Sequence, residues 1–206
     1  MALTIDYYLA PQSPWAYLGH QRFVDMAKAA GATVNVLPID LGGQVFPVSG
    51  GLPLAKRAPQ RVAYRLVELK RFSEWLRLPL NLQPKYFPVP GDRAARLILA
   101  AAAQHGSDAA LRLAGAVLKA VWADERNIDD DATLTELLGA CAVPAQALQA
   151  SQADAVQQQY QAATRQAIAA GVFGAPSYVI DGEVFWGQDR LDFVERRLLR
   201  APGPKK

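Results

Sequence analysis

Two hydrophobic patterns share this chain. Near both ends, short apolar runs of strand length are bounded by Gly and Pro. From about residue 58 to 150, Ala and Leu recur at helical spacing with no convincing strand. Residues 3–9 read as the first strand. Pro11 and Pro14 mark a loop and then the first turn of a helix, where the N–H that proline lacks would be unpaired in any case. That helix runs from about Pro14 to Ala30 on an apolar stripe of Trp15, Leu18, Phe23, Met26 and Ala27, and Gly31 ends it as a C-cap. Residues 33–37 are the second strand. A helix between two strands gives a right-handed βαβ unit with a parallel pair.

Residues 42–53, rich in Gly and Pro, read as a loop. Helical stretches follow near 58–76, 92–105, 108–122, 131–140 and 144–150. Asp130 or Asp131 caps the fourth, and Pro79, Pro84, Pro88 and Pro90 mark the loop before the second. A long helix over 151–170 ends at Gly171. Residues 178–180 are a strand, Asp181-Gly182 is a two-residue hairpin turn, and residues 183–186 return. Gln188 or Asp189 opens a last helix whose apolar face is Leu191, Phe193, Val194 and Leu198. The order β-α-β, helices, α-β-β-α predicts an α/β fold: a thioredoxin-like domain (residues 1–41 and 155–206) with a large all-helical insertion (residues 42–154).

Composition narrows the function classes. Of 206 residues 51% are hydrophobic, enough to bury a sizeable core. The net charge of +3 suits small anionic ligands, and Lys and Arg are spread without a dense basic block, so nucleic acid is not an expected partner. The single cysteine, Cys141, excludes redox cycling between two internal thiols and reads as a small apolar helix residue. One Cys and two His give no zinc spacing, and no metal is expected. No leader-like segment opens the chain and no run approaches membrane-spanning length, so a cytoplasmic enzyme or binding protein that does not engage a membrane is expected. The end beyond Ala201 reads as a frayed tail.

The candidate chemistry begins at Ser13-Pro14-Trp15-Ala16, where the first strand passes into the first helix. Thiol-disulfide oxidoreductases carry Cys-Pro-x-Cys in that setting. Here serine and alanine stand for the two cysteines, so the sulfur must arrive with a ligand. Gly174-Ala175-Pro176-Ser177, directly before the third strand, occupies the place of the cis proline beside such a sulfur site, so the Ala175-Pro176 bond is expected to be cis. Residue 175 then offers its backbone to an extended peptide, as in strand addition. Trp186-Gly187-Gln188-Asp189-Arg190 joins a strand to a helix. Free N–H groups there and the Asp189 carboxylate together suit a zwitterionic amino-acid end; capping of the last helix by Asp189 is the simpler alternative.

Three motifs in this order, residues 8–19, 171–177 and 185–191, together with residues 51–57, closely resemble the 2-hydroxychromene-2-carboxylate isomerase family. This is a DsbA-like branch of the thioredoxin fold, similar to kappa-class glutathione transferases. The resemblance implies glutathione as cofactor. Its cysteinyl backbone would pair with Ala175, its γ-glutamyl end would rest on Trp186, Gly187, Gln188 and Asp189, and its sulfur would face Ser13, the catalytic residue. It also implies a small anionic aromatic substrate held by Lys56, Arg57 and Asp92; the family's Asn-Arg pair is matched by Ala55-Lys56 or Lys56-Arg57, depending on alignment. The implied reaction interconverts 2-hydroxychromene-2-carboxylate and trans-o-hydroxybenzylidenepyruvate, in aromatic catabolism. A homodimer is the expected assembly. A kappa-like glutathione transferase and a non-catalytic thioredoxin-like binding module are the alternatives.

Serine is sufficient for this role. A thiol with a pKa of about 8.5 is only about a tenth thiolate near pH 7.5. Lowering it by about two units takes about 2.7 kcal/mol. A hydroxyl hydrogen bond to an anion contributes roughly 1.5–3 kcal/mol, and a helix N-terminus roughly 0.3–1 kcal/mol. A serine hydrolase would instead need a histidine beside Ser13. His20 is seven residues along the same helix, about 10 Å of rise away, and nothing local brings His105 near. Ser13 as a plain N-cap is geometrically close to Ser13 as a thiolate donor, and the sequence does not separate the two.

Overall fold

Four strands from the two ends of the chain form one mixed sheet. In the computed structural model, which describes residues 3–199, β1 (Thr4–Leu9), α1 (Pro14–Ala29) and β2 (Thr33–Pro38) open the chain, and β3 (Ser177–Ile180) and β4 (Glu183–Trp186) come near its close. The strand order is β2-β1-β3-β4. β1 runs parallel to β2 and antiparallel to β3, and β3 antiparallel to β4. The predicted βαβ unit and the late hairpin therefore meet side by side, giving the thioredoxin-like α/β arrangement. The tail beyond Ala201 lies outside the described residues.

Strand alternation sorts the core into two faces. Ile5, Tyr7 and Leu9 of β1, Val34 and Val36 of β2, and Tyr178 and Ile180 of β3 join one buried cluster with Leu18 and Phe23 of α1. Tyr8 and Val179 point the other way, into a smaller cluster with Ile39, Val45, Ala167 and Val172. Both faces of β1 are thus buried, which is why its sequence is an apolar run rather than a strict alternation.

Between the two halves of the sheet come α2 (Phe46–Ser49), α3 (Pro59–Leu76), α4 (Asp92–Trp122), α5 (Asp131–Ala140), α6 (Gln146–Ala150) and α7 (Asp154–Ala169); α8 (Leu191–Leu199) follows β4. α4 is two helical segments meeting at Gly106, whose φ of 80° and ψ of 175° are closed to other residues. This matches the two stretches expected on either side of it. The inserted helices do not stand apart from the sheet: Leu97, Leu113, Val117 and Trp122 of α4 and Leu134 of α5 belong to the same cluster as the strands. Ser107 of α4 donates its hydroxyl to the Val34 carbonyl of β2. Residues 42–53 are not simply a loop. Leu41–Val45 forms a wide helical turn whose start is capped by Asp40 accepting from the Gly43 N–H at 2.7 Å, and α2 follows it. The Gly and Pro content concealed a turn that a single upstream carboxylate nucleates.

Candidate active site

Ser13 is the N-cap of α1. Its backbone is extended, with φ −80° and ψ 122°, and its Oγ accepts from the Ala16 N–H at 3.2 Å. The same hydroxyl donates to the Ala175 carbonyl at 3.3 Å, and the Ala175-Pro176 bond is cis, as the sequence predicts. Capping and thiolate donation therefore do not compete. The oxygen serves the helix through a lone pair, while its proton is held by one long bond that a nearby anion outcompetes. No histidine is available as a base. His20 is buried, its Nε2 donates to the Leu111 carbonyl at 2.9 Å, and its Nδ1 accepts from the Tyr7 hydroxyl at 3.2 Å. Burial pushes its pKa down to about 4, so it is neutral. His105 is exposed.

The turn after β4 lies beside this point. The Gly187 N–H donates to the Pro176 carbonyl at 2.9 Å, which ties the turn to the proline segment. Gly187 has a φ of 101°, and a Cβ there would lie 2.5 Å from Asp189 Oδ1. The helical turn Gln188–Arg190 that follows has no side-chain cap. Trp186 is half exposed and covers Gly174 so closely that a Cβ there would fall 2.2 Å from its indole nitrogen; Phe173 packs on the same ring. Asp189 is exposed and paired with Arg190 at 2.7 Å. Gln188 behaves differently: its side chain is buried, and Arg22 donates to both its backbone carbonyl at 2.8 Å and its Oε1 at 2.5 Å. Gln188 thus offers a ligand its backbone rather than its amide. Uncapped N–H groups, a solvent-facing carboxylate and an aromatic shelf fit the zwitterionic end of a peptide such as glutathione.

The residues expected to hold the organic substrate are dispersed. Lys56 is exposed at the end of a short helical turn, and Arg57 donates through Nε to the Leu52 carbonyl at 2.8 Å. Asp92 opens α4 and accepts from the Tyr160 hydroxyl of α7 at 3.0 Å. One further residue, absent from the sequence reading, connects to the Ser13 region through Trp122. Arg65 lies on the inward stripe of α3 with Leu69, Phe72 and Leu76, over the rings of Phe87 at 5.4 Å and Trp122 at 5.5 Å. Burial, and then the neighbouring Arg57, push its pKa down to about 10, so it remains a cation. Trp122 donates its indole N–H to the carbonyl of Gln12, next to Ser13, at 3.3 Å. A charged residue within an apolar helical stripe was the signal available in the sequence.

Among the described residues no group of acidic, His and Cys side chains could hold a metal, and no helix is long and apolar enough to cross a membrane. Cys141 is buried at the end of α5 and its thiol is pushed up in pKa. A groove of about 420 Å³ between β2, α4 and α7, lined by Asn35, Leu99, Ser107 and Gln166 among others, shares no residue with this site.

Comparison with known proteins supports the fold and the family. The model of the DSBA-like thioredoxin domain matches residues 4–199. A 2-hydroxychromene-2-carboxylate isomerase from Sphingobium xenophagum is 30% identical over 203 residues, covering 97% of this chain and 100% of that protein. The solved structure of a 2-hydroxychromene-2-carboxylate isomerase superposes with a TM-score of 0.80 at 25% identity, covering 95% of this chain and 94% of that one. The fold is shared more distantly by the cytosolic disulfide reductase DsbM from Pseudomonas aeruginosa, solved with GSH, at a TM-score of 0.67 and 18% identity, over 95% of this chain and 99% of that one.

Proposed function

The chain belongs to the 2-hydroxychromene-2-carboxylate isomerase family, enzymes on a DSBA-like thioredoxin fold, and from that premise we propose that it is a glutathione-dependent cis-trans isomerase of an unsaturated aromatic oxo-acid. The observation that carries the proposal is the Ser13 hydroxyl, bridging the start of α1 and the Ala175 carbonyl where a redox protein of this fold would place a cysteine. Bound glutathione would supply a thiolate that adds reversibly to the conjugated alkene, so that the bond rotates as a single bond and re-forms. Ser13 would turn its proton from the Ala175 carbonyl to the sulfur and lower the thiol pKa. The N–H groups after Gly187 and the Asp189 carboxylate would hold the γ-glutamyl end, and Ala175 the cysteinyl backbone. The distant relative solved with GSH supports the same ligand class on this fold.

The test is to follow trans-o-hydroxybenzylidenepyruvate and total free thiol together, with and without glutathione. Interconversion that needs glutathione and leaves thiol constant is the expected result. Stoichiometric loss of thiol would make the protein a kappa-like transferase. No turnover and no glutathione binding would reduce it to a non-catalytic module.

A further inference from the structure

Arg65 is a largely buried arginine whose guanidinium has no protein partner, although none of its nitrogens is sealed from solvent. Only 9% of it is exposed. Among the described residues no carboxylate pairs with it and no acceptor takes its N–H groups, whereas the exposed Arg71 on the same helix pairs with Glu68. Holding a cation unpaired in a largely buried side chain is costly, and such groups are normally compensated. The rings of Phe87 and Trp122 offset part of the cost through their faces. An aromatic face takes the flat side of a guanidinium and leaves its rim of N–H donors, which is shaped for the two oxygens of a carboxylate. Arg57 lies near enough to depress the Arg65 pKa, so positive charge accumulates here instead of being neutralised. The place is adjacent to the chemistry: the ring under Arg65 is the one whose N–H holds the carbonyl of the residue before Ser13. Gln12 itself has a buried Oε1 with no hydrogen-bond partner.

We propose that Arg65, supported by Arg57, is the carboxylate anchor of the substrate, holding an aromatic 2-oxo-acid by its anionic end at the inner face of α3. The assignment rests on the isomerase reading above and moves the anchoring charge from the exposed Lys56 to the inner face of α3. The fork of N–H donors on Arg65 matches the two oxygens of a carboxylate end.

The first arm uses the unmodified protein without glutathione. Calorimetric titration with trans-2-hydroxycinnamate and with its carboxamide is expected to favour the carboxylate by roughly tenfold or more. Equal affinity for the two, or no binding of the carboxylate, overturns the proposal. Arg65→Met is expected to erase the preference and Arg65→Lys to keep part of it. A merely structural Arg65 would lower the melting temperature of Arg65→Met and leave the preference in place, which also overturns the proposal. In turnover, Arg65→Met is expected to raise KM for the oxo-acid roughly 10- to 100-fold with the KM for glutathione unchanged; an unchanged KM for the oxo-acid counts against it. If no form of the protein isomerises anything, yet the carboxylate preference persists and depends on Arg65, the isomerase reading fails while the anion site stands.

Discussion

The two sides of the site are built in opposite ways. The side facing Ser13 is made from strand and helix ends: the start of α1, the segment before β3 and the turn after β4 supply mostly backbone groups and one hydroxyl. The other side is made from side chains carried by inserted helices and their loops: Arg57, Arg65, Phe87 and Trp122. The first is nearly neutral and fixed by the sheet. The second is cationic and set by how α3 and α4 pack. A backbone-built half suits a ligand that never changes, such as a peptide cofactor. A half made of side chains is free to differ with the substrate.

Acid should break the joint between the two regions, with the largest effect. His20 on α1 reaches across to the Leu111 carbonyl of α4 and is buried neutral, with its pKa lowered from 6.5 to about 4. In the unfolded chain it would take up a proton near its ordinary value, so below that pH the unfolded state binds more protons than the folded one. Its contribution is therefore fully present above about pH 6.5 and is lost as the pH falls towards about 4. The loss amounts to about 3 kcal/mol. Denaturant unfolding between pH 7 and 4 should show this fall, and a flat profile would mean that His20 is protonated in the folded protein.

Ser13→Ala comes next and isolates the backbone-built side. The thiol of bound glutathione should rise by about one to two pKa units, with turnover near neutral pH falling roughly 10- to 100-fold. Ultraviolet titration of the thiolate reads the first and isomerase assays the second. The variant also loses a helix cap, about 1 kcal/mol of stability, so the melting temperature should drop in either case. Ser13→Thr, which keeps a hydroxyl, should recover the thiol pKa. An unchanged titration in Ser13→Ala would leave Ser13 as a cap alone.

Asp189→Ala should give the smallest effect. The carboxylate is exposed and shared with Arg190, so glutathione affinity should weaken by roughly 3- to 10-fold, with the melting temperature and the oxo-acid KM unchanged. A fall in stability without any change in glutathione affinity would make Asp189 a structural partner of Arg190 only, and the two halves of the site would then differ less than the geometry implies.

The first motif was readable because its chemistry is local. A serine followed by Pro14 after an apolar run states both the helix start and the missing cysteine, and Gly174-Ala175-Pro176 precedes its strand at a fixed offset. Asp181-Gly182 announced its hairpin for the same reason: a turn is decided by the φ values that a few adjacent residues can adopt. Arg65 was not readable in this way. A charge within the apolar stripe of α3 was the one local signal, and only the packing of Trp122 and Phe87 against it shows a largely buried arginine without a counter-charge. Gln188 is similar. The sequence offered an amide beside Asp189, whereas Arg22, from a helix 166 residues earlier, turns that amide inward.

The sequence by itself determined most of the elements, their order, the helices between the two halves of the sheet, the Ser13 cap of α1 and the cis Ala175-Pro176 bond, because strand length, helical period, turn residues and caps are short-range properties of the chain. The tertiary structure alone decided that the inserted helices share one core with the sheet and that Arg65 has no counter-charge. It also decided that the hydroxyl of Ser13 is divided between Ala16 and Ala175. Those facts depend on which distant side chains come within a few ångströms of one another, and burial converts such contacts into charge and hydrogen-bond constraints that no local pattern encodes.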